Sequence, residues 1–249
     1  MRGDGQRHGR VGQRGSNRPV YMTEALLEIE TNYNILEYLT GQERATLLER
    51  AVMHLIPTGA PVFSQGECHE GIFLIQSGRV RTYYVSSAGR EITLAQWTPG
   101  HFVGGPEIFG GSKHLWSAVT LEDSCIAFLA GRHLRRLMFE MPNLAFGLVD
   151  GLVYKGKCYS ALLQILGTRS AAGRLAHLLL TLAEREGALG RTPAILDRRF
   201  SHEELATMIG ATRQWVTASL KRFGKAGLIR LDDQRIVLLD VEALRATCE

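Results

Sequence analysis

The chain has 249 residues, 45% hydrophobic and 22% charged, with 29 Lys and Arg against 25 Asp and Glu for a net charge of +4. That is a globular profile, long enough for one large or two smaller domains, and no apolar run approaches the roughly 18 residues a membrane span needs. Cys68, Cys125, Cys158 and Cys248 lie far apart with no C-x-x-C pair, which argues against a zinc ribbon, a thioredoxin-like site or a disulfide-dense secreted fold and suggests a reducing, cytoplasmic setting.

The charge is unevenly spread. Residues 1–21 hold five arginines and one acid, residues 22–168 carry 11 bases against 14 acids, and residues 169–249 carry 13 against 10. An acidic body and a basic last third suggest two domains with different partners. The first 21 residues are rich in Gly, Arg, Gln and Asn and cannot bury enough surface to offset their ordering entropy, so they read as a disordered basic tail. They lack the apolar stretch of a secretory signal. A DNA-seeking arm is the other reading of this tail.

Residues 24–50 carry helical spacing, with Leu36, Leu39, Leu47 and Leu48 as core contacts. The period then changes to two. Strands are predicted at 61–63, 71–76, 80–85 and 91–97, across Val119, and at 125–129, parted by Gln65-Gly66-Glu67, Ser77-Gly78, Ser87-Ala88-Gly89 and Pro99-Gly100. Short strands punctuated by glycine predict an antiparallel barrel or jelly roll.

Helical spacing returns at 134–138 and, after Pro142, holds to about Leu166. Pro142 suits a first helical turn, where its missing N–H costs nothing. Met141, Ala145, Leu148, Leu152, Lys155, Tyr159, Leu162 and Leu166 are spaced four and three alternately, a coiled-coil seam. A second face, with Phe146, Val149, Val153 and Leu163, is also apolar, and a helix apolar on two faces usually has two neighbours. One neighbour is the chain's own barrel. The other is a second copy, which assigns Leu148, Leu152, Lys155, Tyr159, Leu162 and Leu166 to a dimer interface; burial within a monomer is the alternative.

A further helix is predicted at 173–185, then a break at 187–193. Ser201 with Glu204 is a capping box that opens the next helix. Ala206, Gly210 and Val216 follow at the spacing two helices crossing at a tight turn require: a small residue for close approach, a glycine for the left-handed turn, and an aliphatic lock. The second helix runs from about Thr212 to Phe223, with Arg213, Gln214 and Thr217 outward and Lys221 and Arg222 a turn later. Arg pairs bidentately with guanine and Gln with adenine, while Lys and helix N-termini suit phosphates. Residues 227–239 then read as a β-hairpin wing. Ser201, Thr212, Arg213, Gln214, Thr217, Lys221 and Arg222 are the candidate DNA contacts, and Trp215 is a packing residue. The fold class is α+β: an N-terminal antiparallel β-roll, jelly-roll-like, over 22–140, a dimerisation helix over 141–168, and a winged helix-turn-helix over 169–249.

Phe63-Ser-Gln-Gly-Glu67, residues 72–80, Pro99-Gly-His-Phe-Val-Gly104, Glu107-Ile-Phe109, Gly173-Arg174-Leu175 and Arg213-Gln-Trp-Val-Thr217 make residues 36–239 resemble the CRP/FNR family of transcription regulators. The resemblance implies a homodimer, an effector in each β-roll against the long helix, two recognition helices on a two-fold symmetric double-stranded operator, and contact with RNA polymerase. Arg213 matches the family's guanine-reading arginine. Gln214 stands where glutamate is common and Ser219 where an aliphatic residue is usual, so a different base preference and looser packing are expected.

In the cyclic-AMP branch, this resemblance places a ribose-binding glutamate and a phosphate-binding Arg-Ser pair where this chain has Gly105 and Leu115-Trp116. A buried phosphate without its arginine is poorly compensated, by roughly 3–5 kcal/mol, so cyclic AMP is not the expected effector. Gly104, Gly105, Glu107, Lys113, His114, Leu115 and Trp116, with Tyr159 and Ser160 on the long helix, are the candidate site for another small organic effector, an aromatic acid being one guess. The clustered N-terminal cysteines of the family's iron–sulfur members are missing, so no iron–sulfur cluster is expected. Haem sensing would draw on Cys68, His69, His101 or His114 and is the alternative within the family; no metal site is assigned. Two rivals lie outside it: a cupin-like metal enzyme, which wants a His-x-His that does not occur here, and a cyclic-nucleotide-binding module without a DNA role.

Overall fold

The computed structural model describes residues 33–89, 91–104, 108–189, 194–196, 199–232 and 235–248. The basic tail and the first turns of the 24–50 helix lie outside them. From Tyr33 the expected single helix is two pieces: a 3-10 turn at Ile35–Tyr38 and helix α1 at Gly41–Glu49. The break is chemical. Asn34 caps the first piece, and Thr40 forms a capping box with Glu43, so the hydroxyl restarts the helix rather than continuing it.

Eight strands follow: β1 Val52–Ile56, β2 Pro61–Phe63, β3 Gly71–Ser77, β4 Val80–Val85, β5 Glu91–Trp97, β6 Phe102–Val103, β7 Ser117–Thr120 and β8 Ser124–Ala130. They form two antiparallel four-stranded sheets, ordered β1-β8-β3-β6 and β2-β7-β4-β5. The pairings Ile72↔Leu129, Leu74↔Ala127 and Val80↔Trp97 fix the register that turns Ile72, Leu74, Val80, Trp97 and Leu129 into the core. The β-roll is therefore present, with two strands beyond those predicted. β1 is a short, mostly apolar run broken by His54 directly after a helix, without the alternation that marks a half-buried strand, and its Val52, Met53 and Leu55 are exposed.

Helix α2, Gly131–Glu140, leads into α3, Pro142–Thr168, with the proline in its first turn. Gly147 and Gly151 let the β-roll approach α3 closely. A Cβ at position 151 would lie 2.4 Å from Tyr33 Oη and 2.7 Å from the Phe102 ring, and Tyr33 Oη donates to the Gly147 carbonyl at 2.8 Å.

The C-terminal unit comprises α4 Ala171–Arg185, β9 Ala194–Ile195, α5 His202–Ile209, α6 Arg213–Lys225, β10 Ile229–Asp232, β11 Arg235–Leu238 and α7 Val241–Ala246. Its core joins Leu175, Leu179 and Leu182 of α4 to Leu205, Ile209, Val216, Leu220, Ile236 and Leu244. Arg174 ties the end of α3 to the first helix of the pair, Nε donating to the Ile209 carbonyl at 2.8 Å and Nη1 to that of Arg169, the residue after α3, at 3.0 Å. Leu94 of β5 packs against this core. No described helix is long and apolar enough to cross a membrane.

Candidate DNA interface and effector site

The helix-turn-helix is built as its sequence requires. Ser201 and Glu204 make both halves of the capping box at α5, and Gly210 adopts φ 64°, ψ 45°, with its N–H closing on the Ala206 carbonyl. A side chain at Gly210 would carry the left-handed penalty of about 1–2 kcal/mol. Ala206 and Val216 are buried where the two helices cross.

Thr212 caps α6 by accepting from the Trp215 N–H at 3.2 Å. Arg213, Gln214 and Lys221 are exposed, and with Thr217 and Ala218 they line one groove along the outer face of α6. The remaining candidates are engaged within the protein. The Ser201 and Thr212 hydroxyls serve as caps. Thr217 Oγ1 donates to the Arg213 carbonyl at 2.9 Å and stands 2.8 Å from His202 Nδ1. Its single proton is spent on that carbonyl, so His202 Nδ1 is the donor in the second contact. Arg222 turns back on its own helix, donating to Ser219 Oγ at 2.9 Å with its guanidinium 5.9 Å from the Trp215 ring centre. The buried Ser219 thereby keeps a polar partner instead of loosening the core, and Trp215 packs against the C-terminal core. His202 escaped the sequence reading; with Ser201, Glu203 and Arg213 it lines a second groove beside the wing. Its one sequence signal is its place directly after a helix cap.

The effector candidates divide. Gly104 is buried against His69, where a Cβ would lie 3.0 Å from Nε2. His114 stacks on Phe63 at 3.9 Å between ring centres and meets His69 edge-on at 4.6 Å. Trp116 meets Tyr159 of α3 edge-on at 5.8 Å, and burial raises the Tyr159 pKa. Lys113, Leu115 and Ser160 are exposed instead of joining this cluster. Gly105 and Glu107 lie outside the described residues. The Nδ1 of His114 and Nε1 of Trp116 are buried without a hydrogen-bond partner among the described residues.

The other haem-ligand candidates are placed elsewhere. Cys68 is exposed, on a bridge to Lys113. His101 lies among the rings of Tyr33, Trp97 and Tyr154, at 5.5, 5.6 and 5.5 Å, beside the Thr98 carbonyl. Among the described residues no three His, Cys, Asp or Glu side chains are grouped to hold a metal.

Three histidines are held neutral. Burial pushes His101, His114 and His177 down to about 4, helped by Lys155, His69 and Arg169 respectively. Between about pH 6.5 and 4 the unfolded chain binds protons these sites refuse, so stability falls as pH drops through that window. Thermal midpoints measured from pH 7 to 4.5 should decline; a flat profile would count against these assignments.

The long helix corrects the assignment of the dimer seam. Leu148 is 1% exposed and packs into the β-roll core, while Leu162 and Leu166 pack against the C-terminal core. Lys155 Nζ donates to the Phe102 carbonyl at 2.6 Å and Tyr159 packs on Trp116, so both face the β-roll. Of the six assigned residues only Leu152 is classed as exposed, at 39%. The alternating seam is thus largely filled by the chain's own two cores. The open face carries Phe146, Val149, Val153 and Leu163, exposed by 64, 55, 52 and 70%.

Residues 54–141 match the family model of the cyclic nucleotide-binding domain, and residues 173–247 that of the Crp-like helix-turn-helix domain. The chain is 30% identical over 177 residues to the cyclic AMP receptor protein of Thermus thermophilus, covering 71% of this chain and 79% of that one. It belongs to the CRP/FNR family of transcription regulators. Identity to the CRP-like cAMP-activated global transcriptional regulator of Mycobacterium tuberculosis is 28% over 188 residues, 76% of this chain and 84% of that protein. The c-di-GMP responsive global regulator of Xanthomonas campestris shares the fold, with a TM-score of 0.71 at 20% identity over 81% of this chain and 100% of that one. The family is one of DNA-binding regulators and not of enzymes, which removes the cupin reading.

Proposed function

We propose that this CRP/FNR regulator acts as a homodimer on a two-fold symmetric operator, with a small effector in each β-roll setting the distance between the two recognition helices. The observation that carries the reading is the outward row Arg213, Gln214 and Lys221, held at the start of α6 by the Thr212 cap and the left-handed turn at Gly210. The open apolar face of α3 supports a second copy, and the tie from Arg174 to Ile209 supports passage of a change in α3 to the DNA unit. Contact with RNA polymerase follows from the family and has no residue assigned to it.

Two relatives bear cyclic AMP in their names. We infer a different effector here. Leu115 is 56% exposed and Trp116 packs on Tyr159, so neither brings a positive charge to a cyclic phosphate where the family's arginine would stand. Gln214 in place of the common glutamate supports a base preference of its own.

The test is a fluorescence-anisotropy titration of a duplex selected from a random pool, repeated from 50 to 300 mM salt. Phosphate neutralisation releases counterions, so log affinity should fall linearly with log salt, by about 0.9 per phosphate contacted. Affinity flat with salt, or no duplex selected at low salt, would remove the DNA-binding reading.

A further inference from the structure

The outer groove of α6 changes character along its length. Arg213 and Gln214 open it, Thr217 and Ala218 follow one turn later, and Lys221 lies a turn beyond Thr217. Side chains four residues apart stand one above the other on a helix, so Arg213, Thr217 and Lys221 form one row and Gln214 with Ala218 a second beside it. The first turn offers a guanidinium and an amide, and the third an ammonium. The middle turn offers an alanine methyl and a threonine.

The threonine hydroxyl is already committed. Oγ1 donates its one proton to the Arg213 carbonyl at 2.9 Å and accepts from His202 Nδ1 at 2.8 Å. The first contact is common for a threonine inside a helix. The second is not, because it comes from the first residue of the neighbouring helix α5. A hydroxyl drawn back onto its own helix and towards α5 leaves the methyl as the part of Thr217 that lines the groove. Ala218, exposed beside it, brings no polar group of its own.

We propose that the middle turn of α6 reads a thymine through the Thr217 methyl group, and that His202 is the positioning residue that keeps the Thr217 hydroxyl turned inward. This rests on the DNA-binding reading and adds the identity of one base in each half-site. Base edges in the major groove present hydrogen-bond donors and acceptors, and the one methyl among them is that of thymine at C5. An apolar step set between Arg213 and Gln214 on one side and Lys221 on the other matches that group and leaves a buried amino or carbonyl edge unsatisfied. The thymine therefore lies next to the base pair that Arg213 or Gln214 contacts, since Thr217 and Ala218 sit one turn along the same two rows.

The test is an anisotropy titration of the full chain with the selected operator, each thymine of both half-sites replaced in turn by deoxyuridine, which lacks only that methyl. Losing one buried methyl weakens binding about fourfold, so at one position the replacement in both half-sites should cost about fifteenfold. Thr217→Val keeps a methyl and should keep that cost. Thr217→Ser keeps the hydroxyl and should reduce the cost to about twofold or less. His202→Ala should reduce it as well, and His202→Asn, whose side-chain amide can donate from the place of Nδ1, should restore it. A merely structural role for either residue would weaken the thymine and uracil duplexes alike and leave their ratio unchanged. The methyl contact is overturned if no uracil costs the wild type more than about twofold. It is equally overturned by a cost that survives in folded Thr217→Ser or vanishes in folded Thr217→Val. A folded His202→Ala protein with the full cost overturns the positioning role. If the duplex binds with the expected salt slope while no uracil matters, the DNA-binding reading stands and only the methyl contact fails; if no duplex binds, both fall.

Discussion

Arg213→Ala weakens operator binding by about 1–3 kcal/mol and relaxes preference at a single base pair of each half-site. The expectation follows from placement. Arg213 is the first residue of α6, exposed, lining the outer groove, and in no ion pair among the described residues, so its guanidinium is available to a base edge. Lys221→Ala should differ in kind: a uniform loss across sequences and a salt slope shallower by about 1. Arg222→Ala should cost less specificity than Arg213→Ala, since Arg222 is engaged with Ser219 and Trp215. Selecting binding sites with each variant checks all three, and an Arg213→Ala protein with unaltered base preference would remove that residue from base reading.

The second large effect concerns α3. Phe146, Val149, Val153, Gly156, Ser160 and Leu163 follow one another at alternating steps of three and four, a coiled-coil seam on the open face of the helix. Gly156 has open space where a Cβ would be, which permits close approach of a second helix. Burying a large aliphatic side chain is worth roughly 1.5–3 kcal/mol. Each valine is already about half buried, so Val149→Glu with Val153→Glu loses at least about 1.5 kcal/mol from each copy and sets like charges against each other across the two-fold axis. Sedimentation velocity should show a dimer turned into a folded monomer, because neither valine belongs to the chain's own cores. Leu148→Glu, by contrast, should unfold the β-roll, since Leu148 is 1% exposed there. A double variant that stays dimeric at micromolar concentration would place the interface elsewhere.

Those two residue sets show where sequence reading succeeds and where it stops. Ser201, Glu204, Ala206, Gly210 and Val216 act on their immediate neighbours, so local spacing was enough to place the helix pair and its turn. The strands bounded by glycine turns were legible for the same reason. The faces of α3 were not, because both carry alternating apolar residues, and periodicity does not say which stripe the β-roll claims. That is decided by Gly147 and Gly151, which admit Tyr33, Ile35 and Phe102 on one side only. Lys155 was misplaced with the seam since a lysine among apolar positions reads as an interface edge, whereas its stem reaches inward to a carbonyl and an indole ring. The effector cluster was half legible. Trp116 meets Tyr159 and His114 meets His69, which joins through the fold alone, but Lys113, Leu115 and Ser160 share their stretch of sequence without sharing their direction. Strand β1 shows no alternation, and β6 and β9 are two-residue pieces, too short for a period.

The central claim is that two copies joined along α3 place two recognition helices on one face of a duplex. Hydroxyl-radical footprinting of the selected operator tests it most directly. The account predicts two equivalent protected patches about 34 Å apart, one turn of DNA, on one face of the duplex, and their joint loss in the Val149→Glu, Val153→Glu protein. A single protected half-site with the wild-type chain, or two patches that survive in the monomeric variant, would contradict it.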